Sequence, residues 1–99
     1  MSRYARRKDT THAPIVRELR KVGVSVLDLS RLGDDAPDLL VGLWGVDLQV
    51  ELKSPKRIGH YKGDGRSDGQ VEHARTWKGA PVIRAETVDE ILTALRNQA

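Results

Sequence analysis

Asp38, Glu51 and Lys53 are the residues of this chain whose types and spacing are most suited to chemistry. They occur in the segment PDLLVGLWGVDLQVELK, whose second half alternates between apolar and polar residues. Because a strand has a period of two, Glu51 and Lys53 project from the same face. If Trp44 and Gly45 form a two-residue hairpin loop, counting outward from that loop places Asp38 opposite Glu51. A three-residue loop with a glycine bulge would shift the register by one residue.

Two opposed carboxylates need a positive charge to offset their repulsion. Opposed Cβ atoms lie roughly 4.5–5.5 Å apart, where unit charges repel by on the order of 3 kcal/mol at an effective dielectric near 20. Lys53 supplies one positive charge, and Mg²⁺ is typically held by one or two carboxylates together with phosphate oxygens and water. The alternative is a surface Asp and a Glu–Lys pair on a solvated sheet face. The Pro-Asp pair opposite Glu51 favours a metal site.

The elements that would position these side chains follow from periodicity and capping signals. Capping boxes at Ser67–Gln70 and Thr87–Glu90 mark the starts of two helices. The expected order is α-β-β-β-α-β-α, an α/β fold with a central mixed sheet flanked by helices. The predicted elements are a helix over 11–22, a strand over 24–29, the strands DLLVGL and VDLQVELK, a helix over 68–78, a strand over 81–85 and a final helix from 87.

Length and composition predict a single domain in the cytoplasm. The chain has 99 residues and no cysteine, which excludes disulfides and cysteine-based zinc sites. No apolar run approaches the roughly 20 residues of a membrane span, and the N-terminal segment lacks the apolar core of a signal peptide. We expect residues 1–10 to form a basic tail and residues 54–69 a flexible basic loop.

The net charge of +3 is unevenly distributed. Basic residues crowd the start of the chain and the stretch after Lys53, which contains one acid. Clusters of this kind are ordinary solvated surface or the electrostatic footprint of a nucleic-acid binder. On the second interpretation, the residues that would contact phosphates are Arg6, Arg7, Lys56, Arg57, Lys62 and Arg66.

The motifs PD (37 and 38) and ELK (51–53), joined by a hairpin, resemble the PD-(D/E)xK nuclease signature. A first helix ending in glycine, the pattern Q-x(6)-W from Gln70 to Trp77 and the closing VIRAETVDEIL resemble a stand-alone virus-type replication–repair nuclease (VRR-NUC) domain, of the kind found in phages. The resemblance covers roughly residues 9–95. It implies a restriction-endonuclease-like core and a location in the cytoplasm of a bacterial or phage-infected host cell.

This resemblance also implies an activity and roles for individual residues. The activity would be Mg²⁺- or Mn²⁺-dependent phosphodiester hydrolysis in branched DNA, such as Holliday junctions or flaps, by a homodimer. Asp38, Glu51 and the backbone carbonyl of Leu52 would be metal ligands. Lys53 would orient the attacking water or neutralise phosphate charge, and Gln70 would support the site unless it only caps its helix. The alternative is a catalytically silent DNA-binding module that retains the fold.

The first helix departs from the pattern of related nucleases, which often carry a metal-binding Glu there. The matching position is His12, and Glu18 is a nearby acid. On a helical wheel His12 falls within the apolar stripe and Glu18 at its margin. His12 is therefore either a structural residue beside the core or the ligand that completes the metal site.

Overall fold

The computed structural model describes residues 3–33, 35–53 and 67–99, with side chains from His12 onward. Four strands form one mixed sheet in the order β1-β2-β3-β4, in which only β4 runs parallel to its neighbour. The predicted α/β fold with a mixed sheet and helices is thereby confirmed. The elements are α1 (Arg3–Lys21), β1 (Ser25–Asp28), β2 (Leu39–Leu43), β3 (Val46–Leu52), α2 (Asp68–Thr76), β4 (Ile83–Ala85) and α3 (Val88–Gln98).

Helix α1 begins at Arg3, so it extends through the segment for which the sequence predicted a tail. That segment, RYARRK, contains strong helix formers, which favour continuation of the helix toward the N-terminus. Pro14 consequently lies inside the helix, where it removes one backbone hydrogen bond, instead of in the first turn. Of the predicted loop over 54–69, residues 54–66 lie outside the described part of the chain.

The core lies between one face of the sheet and helices α1 and α3. Helix α1 contributes Ile15, Val16 and Leu19 at helical spacing, and α3 contributes Ile91 and Leu95. Each fully buried aliphatic side chain stabilises the fold by about 1.5–3 kcal/mol relative to an exposed one. The strand residues of this core are Val26, Leu39, Val41, Leu48, Val50 and Ala85. Among the described residues, no helix has the length and apolar character needed to cross a membrane.

The β2–β3 hairpin has the two-residue loop that the sequence analysis considered first. Leu43 pairs with Val46 across the loop, and Leu39 pairs with Val50 further along. Trp44 and Gly45 both have positive φ, at 58° and 78°. Positive φ at both central residues is typical of the type I′ turn, whose twist matches that of the strands. The register that brings residue 38 beside residue 51 is therefore set by this turn.

We expect Trp44→Asn to stabilise the protein by about 0.5–1 kcal/mol. Trp44 is 55% exposed and holds a left-handed backbone conformation that bulky residues rarely adopt, whereas Asn adopts it readily. The measurement is urea unfolding of the parent and the variant. Gly45→Ala, which places a β-carbon at the second positive-φ position, is the opposite control and should destabilise. A Trp44→Asn variant less stable than the parent would show that the exposed indole contributes packing that outweighs the strain.

Candidate metal centre

Asp38 is held at the end of the hairpin by hydrogen bonds to Val50 and Leu52, the residues before and after Glu51. The backbone N–H of Asp38 donates to the carbonyl oxygen of Val50 at 3.0 Å, and its carboxylate Oδ2 accepts the N–H of Leu52 at 2.8 Å. On the other side, the carbonyl oxygen of Asp38 accepts the N–H of Leu29 at 2.8 Å. The structure therefore brings the Asp38 carboxylate against the β3 backbone beside Glu51.

The local chain direction explains why a side chain makes this contact. In a regular strand the N–H and C=O of one residue point to the same edge. At Asp38 the N–H points to β3 and the C=O to β1, so the strand is kinked after Pro37. The kink leaves the N–H of Leu52 without a backbone partner from β2, and the Asp38 carboxylate takes that place. Asp38 thus has a structural role as well as a suitable position for metal binding.

Glu51 is 3% exposed, although it lies on the face of the sheet opposite the helix-covered core. Its neighbours Val50 and Leu52 point toward the core, so alternation directs Glu51 to the other face. A buried carboxylate is costly unless a positive charge lies near it. The parallel register places Arg84 of β4 beside Glu51, and Arg84 is itself half-buried. Sequence reasoning missed Arg84, whose signal was a single cation inside the apolar strand PVIRA.

Lys53 lies at the same end of the sheet, where its N–H donates to the carbonyl oxygen of Ala85 at 2.8 Å. Its ammonium group acts on Glu90, at the start of α3. The backbone N–H of Glu86 lowers the pKa of the Glu90 carboxyl, and the charge of Lys53 contributes in the same direction. The cation predicted beside Glu51 therefore also interacts with an acid on α3.

Gln70 lies in the first turn of α2 and forms the predicted capping box. Its Oε1 accepts the N–H of Ser67 at 3.0 Å, and its own N–H donates to the Ser67 hydroxyl at 3.1 Å. The capping role considered from the sequence is therefore present. The Nε2 of the same side chain takes no part in the cap, so a role toward the site stays a prediction.

Helix α2 contacts the face that carries Glu51. The His73 Nε2 and Gln49 Oε1 atoms lie 2.6 Å apart, and Gln49 alternates onto the same face as Glu51. At the helix start, a β-carbon on Gly69 would clash with the carboxylate of Asp35, so the helix backbone approaches the loop that leads to Asp38. These contacts place the first turn of α2 toward the metal-centre end of the sheet. Sequence reasoning missed His73, since nothing in the sequence pairs it with Gln49.

His12 lies on the other side of the sheet. Its Nε2 is 3.1 Å from Oδ2 of Asp28, and the residue is 6% exposed. Asp28 pairs with the core residue Leu39, so both acid and imidazole lie on the helix-covered face. Within the described residues no group of three or more His, Cys, Asp or Glu side chains could hold a metal, so the structure does not bring His12 together with Asp38 and Glu51. Glu18 is exposed on α1.

Hydrogen bonds to Asp28 predict a pH dependence of stability. Burial raises the pKa of the Asp28 carboxyl, but hydrogen bonds from the Ser30 hydroxyl and N–H, together with His12, outweigh burial and lower it below its ordinary value. A lowered pKa stabilises the fold above the unfolded value, near 3.9, and this contribution is lost as the pH falls through the folded value. We expect Asp28→Asn to be less stable than the parent near neutral pH.

The loss in Asp28→Asn should stay below about 1 kcal/mol, because the acid side chain is 47% exposed and solvent screens its charge. Urea unfolding at neutral pH and at about pH 3 measures it, with the difference between variant and parent shrinking in acid. Asp89→Asn, an exposed acid in the first turn of α3, serves as the comparison. A difference that widens in acid would contradict this assignment.

The side chains predicted to contact phosphates all lie outside the described part of the structure. Lys56, Arg57, Lys62 and Arg66 lie outside the described part of the chain. Arg6 and Arg7 belong to the first turns of α1, whose side chains before His12 also lie outside it. Their proposed contact with nucleic acid stays a prediction.

The oxygen donors at the end of the hairpin suit a hard divalent cation. The carboxylates of Asp38 and Glu51 lie on neighbouring strands, and the Leu52 N–H already points to Asp38. Because a strand residue directs its N–H and C=O to the same edge, the Leu52 carbonyl is expected to point to the β2 side of β3, the side on which Asp38 lies. Mg²⁺ needs only one or two carboxylates when water and phosphate complete its shell. These residues therefore fit Mg²⁺ or Mn²⁺. Binding of such a cation would offset the cost of burying the charged Glu51 carboxylate.

Comparison of the chain with models of protein families, with curated proteins and with solved structures gave no match. The resemblance to the PD-(D/E)xK signature therefore rests on the segment 37–53, the order of the elements and the motifs around Gln70 and VIRAETVDEIL.

Proposed function

We propose that the protein is a divalent-metal-dependent endonuclease with a restriction-endonuclease-like fold that hydrolyses phosphodiester bonds in branched DNA. The observation that carries this proposal is the position of the Asp38 carboxylate, hydrogen-bonded to the N–H of Leu52 beside the buried Glu51. A sheet optimised for stability alone would have apolar residues at such a buried position. The resemblance further suggests that two copies act together on a two-fold substrate.

The residues of this site have complementary tasks in the proposed reaction. A bound Mg²⁺ or Mn²⁺ supplies an activated water and stabilises charge on the phosphoryl oxygens. Asp38 and Glu51, with the Leu52 carbonyl, would hold the ion, and the hydrogen bond from Leu52 fixes the orientation of Asp38. Lys53 would neutralise negative charge on the scissile phosphate, a task for which its position beside the sheet end is suitable.

A second candidate function is a DNA-binding module without catalysis. One observation favours it: within the described residues, no group of three or more His, Cys, Asp or Glu side chains could hold a metal ion. The two functions differ in one result. Incubation of purified protein with Holliday junctions, flaps, nicked duplexes and single strands, with Mg²⁺, Mn²⁺ or EDTA, should yield metal-dependent products only for the endonuclease.

Metal binding should also be visible without any substrate. At a metal concentration about ten times the dissociation constant, binding stabilises the fold by about 1.4 kcal/mol, which raises the Tm of a domain of this size by roughly 6–11 °C. We expect Mg²⁺ and Mn²⁺ to produce this increase in the parent and not in Glu51→Gln. Differential scanning fluorimetry over a metal titration measures it.

Asp47→Asn is the control for this titration, because Asp47 is an exposed acid on the same strand and the same face as Glu51. It should show the full metal-dependent increase in Tm. Equal increases in the parent and in Glu51→Gln would place the bound ion elsewhere on the protein and remove the metal centre from the proposal.

A further inference from the structure

A groove runs between the C-terminal half of α1 and the edge strand β1, on the opposite side of the sheet from Glu51. It has a volume of about 610 Å³ and is called the α1 groove here. Three of its residues are permanently charged cations, whereas Asp28 is its single acid. The residues that line it are His12, Ala13, Val16, Arg17, Arg20, Lys21 and Asp28.

Three of the groove's polar residues, Asp28, His12 and Arg20, are used by the fold itself. The carboxylate of Asp28 is hydrogen-bonded to His12 and to the N–H and hydroxyl of Ser30. The Arg20 guanidinium donates to the carbonyl oxygen of Val26 at 3.0 Å. That carbonyl lies on the outer edge of the sheet, so Arg20 covers part of an edge that another strand could otherwise pair with.

Arg17 and Lys21 are the remaining cations, and both are exposed. Within the described part of the chain, neither forms an ion pair with an acid. They are one helical turn apart, about 6 Å along the axis, and like charges at this spacing destabilise a helix by about 0.2–0.5 kcal/mol. The helix dipole compensates Lys21 in the last turn, but it falls off before Arg17. Unpaired like charges along an open groove suit a polyanion.

The groove reaches the end of the sheet that carries the candidate metal centre, but on the opposite face. Asp28 pairs with Leu39, and the N–H of the next residue, Leu29, donates to the carbonyl oxygen of Asp38. Neighbouring strands are about 4.8 Å apart, so the groove reaches the sheet end within two strand spacings of Glu51.

We propose that the α1 groove binds the phosphate backbone of a DNA duplex through Arg17 and Lys21, on the arm that extends away from the scissile phosphate. This inference rests on the proposed function, because it takes DNA as the polyanion. The groove is open and its cations sit on one helix face, which suits a continuous backbone of charge. An anionic membrane surface and an acidic protein segment are the competing occupants.

The test is binding of a fluorescent DNA duplex in EDTA, followed by anisotropy over a range of salt concentrations in the Asp38→Asn background. The slope of log K against log salt is negative, and each lost phosphate contact reduces its magnitude by about 0.9. Arg17→Ala/Lys21→Ala should therefore reduce the magnitude by about 1.8. Its affinity at low salt should fall about tenfold. Arg17→Lys/Lys21→Arg should keep the parent slope.

Lys78→Ala/Arg96→Ala, which removes two exposed cations outside the groove, is the matched control and should also keep the parent slope. Equal slopes in the groove variant and this control overturn the inference. So does a groove variant that loses binding to phosphatidylserine vesicles or polyglutamate while its DNA binding is unchanged. Cleavage is measured separately on the parent with Mg²⁺. If the parent cleaves DNA but the groove variant keeps the parent's salt slope, the proposed groove contact is refuted and the nuclease activity is not. If the groove variant changes the slope but the parent does not cleave, the nuclease activity is refuted and the groove contact is not.

Discussion

Asp38→Asn and Glu51→Gln should each lower the rate of metal-dependent DNA cleavage by at least about a hundredfold. Removing one group that stabilises the charge of a transition state typically costs about 10²–10³ in rate, and loss of a metal ligand removes such a group. Both substitutions keep the shape of the side chain and remove its negative charge. At position 38, the amide oxygen of Asn can still accept the N–H of Leu52, so the structural contact is retained.

Asp38→Asn separates the role of Asp38 as a metal ligand from its role as the acceptor for the Leu52 N–H, which Asp38→Ala does not. Asp38→Ala removes both the metal ligand and the acceptor for Leu52, so we expect it to lose stability as well as activity. Asp47→Asn controls for loss of one carboxylate on the same sheet face and should cleave at the parent rate. Single-turnover cleavage, with Tm measured in parallel, gives the comparison. Parent-like cleavage by Asp38→Asn or Glu51→Gln would refute the assignment of that residue.

Leu39→Ala should lower the free energy of unfolding by about 2–5 kcal/mol. Leu39 is 0% exposed, and truncation of a fully buried leucine loses its transfer free energy and leaves a cavity. A domain of this size is stable by only about 5–15 kcal/mol, so the change is a large fraction of the total. Urea unfolding followed by circular dichroism measures the loss. Leu39 also directly follows Asp38. We therefore expect the cleavage rate of this variant to decrease at temperatures lower than its Tm, before the whole domain unfolds.

Leu27→Ala provides the same chemical change on the neighbouring strand. Leu27 is 60% exposed and should lose less than about 1 kcal/mol. Similar losses in both variants would show that the inner face of β2 is not the packed core that the structure describes.

The parts of the fold that local sequence determines were the parts that could be predicted. Alternation in VDLQVELK was enough to predict β3, and the observed register is that of the two-residue loop, one of the two loops that Gly45 allowed. The helix starts at Ser67 and Thr87 also followed from sequence, because a capping box is made by residues three positions apart.

Contacts between distant segments could not be predicted in the same way. The His12–Asp28 pair joins residues 16 positions apart, and the helical wheel gave only the side of α1 on which His12 lies. Arg84 reaches the neighbourhood of Glu51 through a parallel pairing of β3 and β4, whose register no turn determines. The positional signal of Pro14 also failed at the start of α1, because a proline that normally marks a first turn lies inside the helix.

Because the Leu52 N–H donates to the Asp38 carboxylate, the candidate metal centre is part of the hydrogen-bond network of the β3 backbone. When the end of the hairpin frays, the Leu52 amide proton exchanges with solvent and the Asp38 carboxylate swings away from β3 in the same event. The lifetime of the assembled site is thus the lifetime of that local closed state. Ions that hold Asp38 and Glu51 together should slow amide exchange at Leu52, which would let the occupancy of the site be followed at a single backbone position in the absence of DNA.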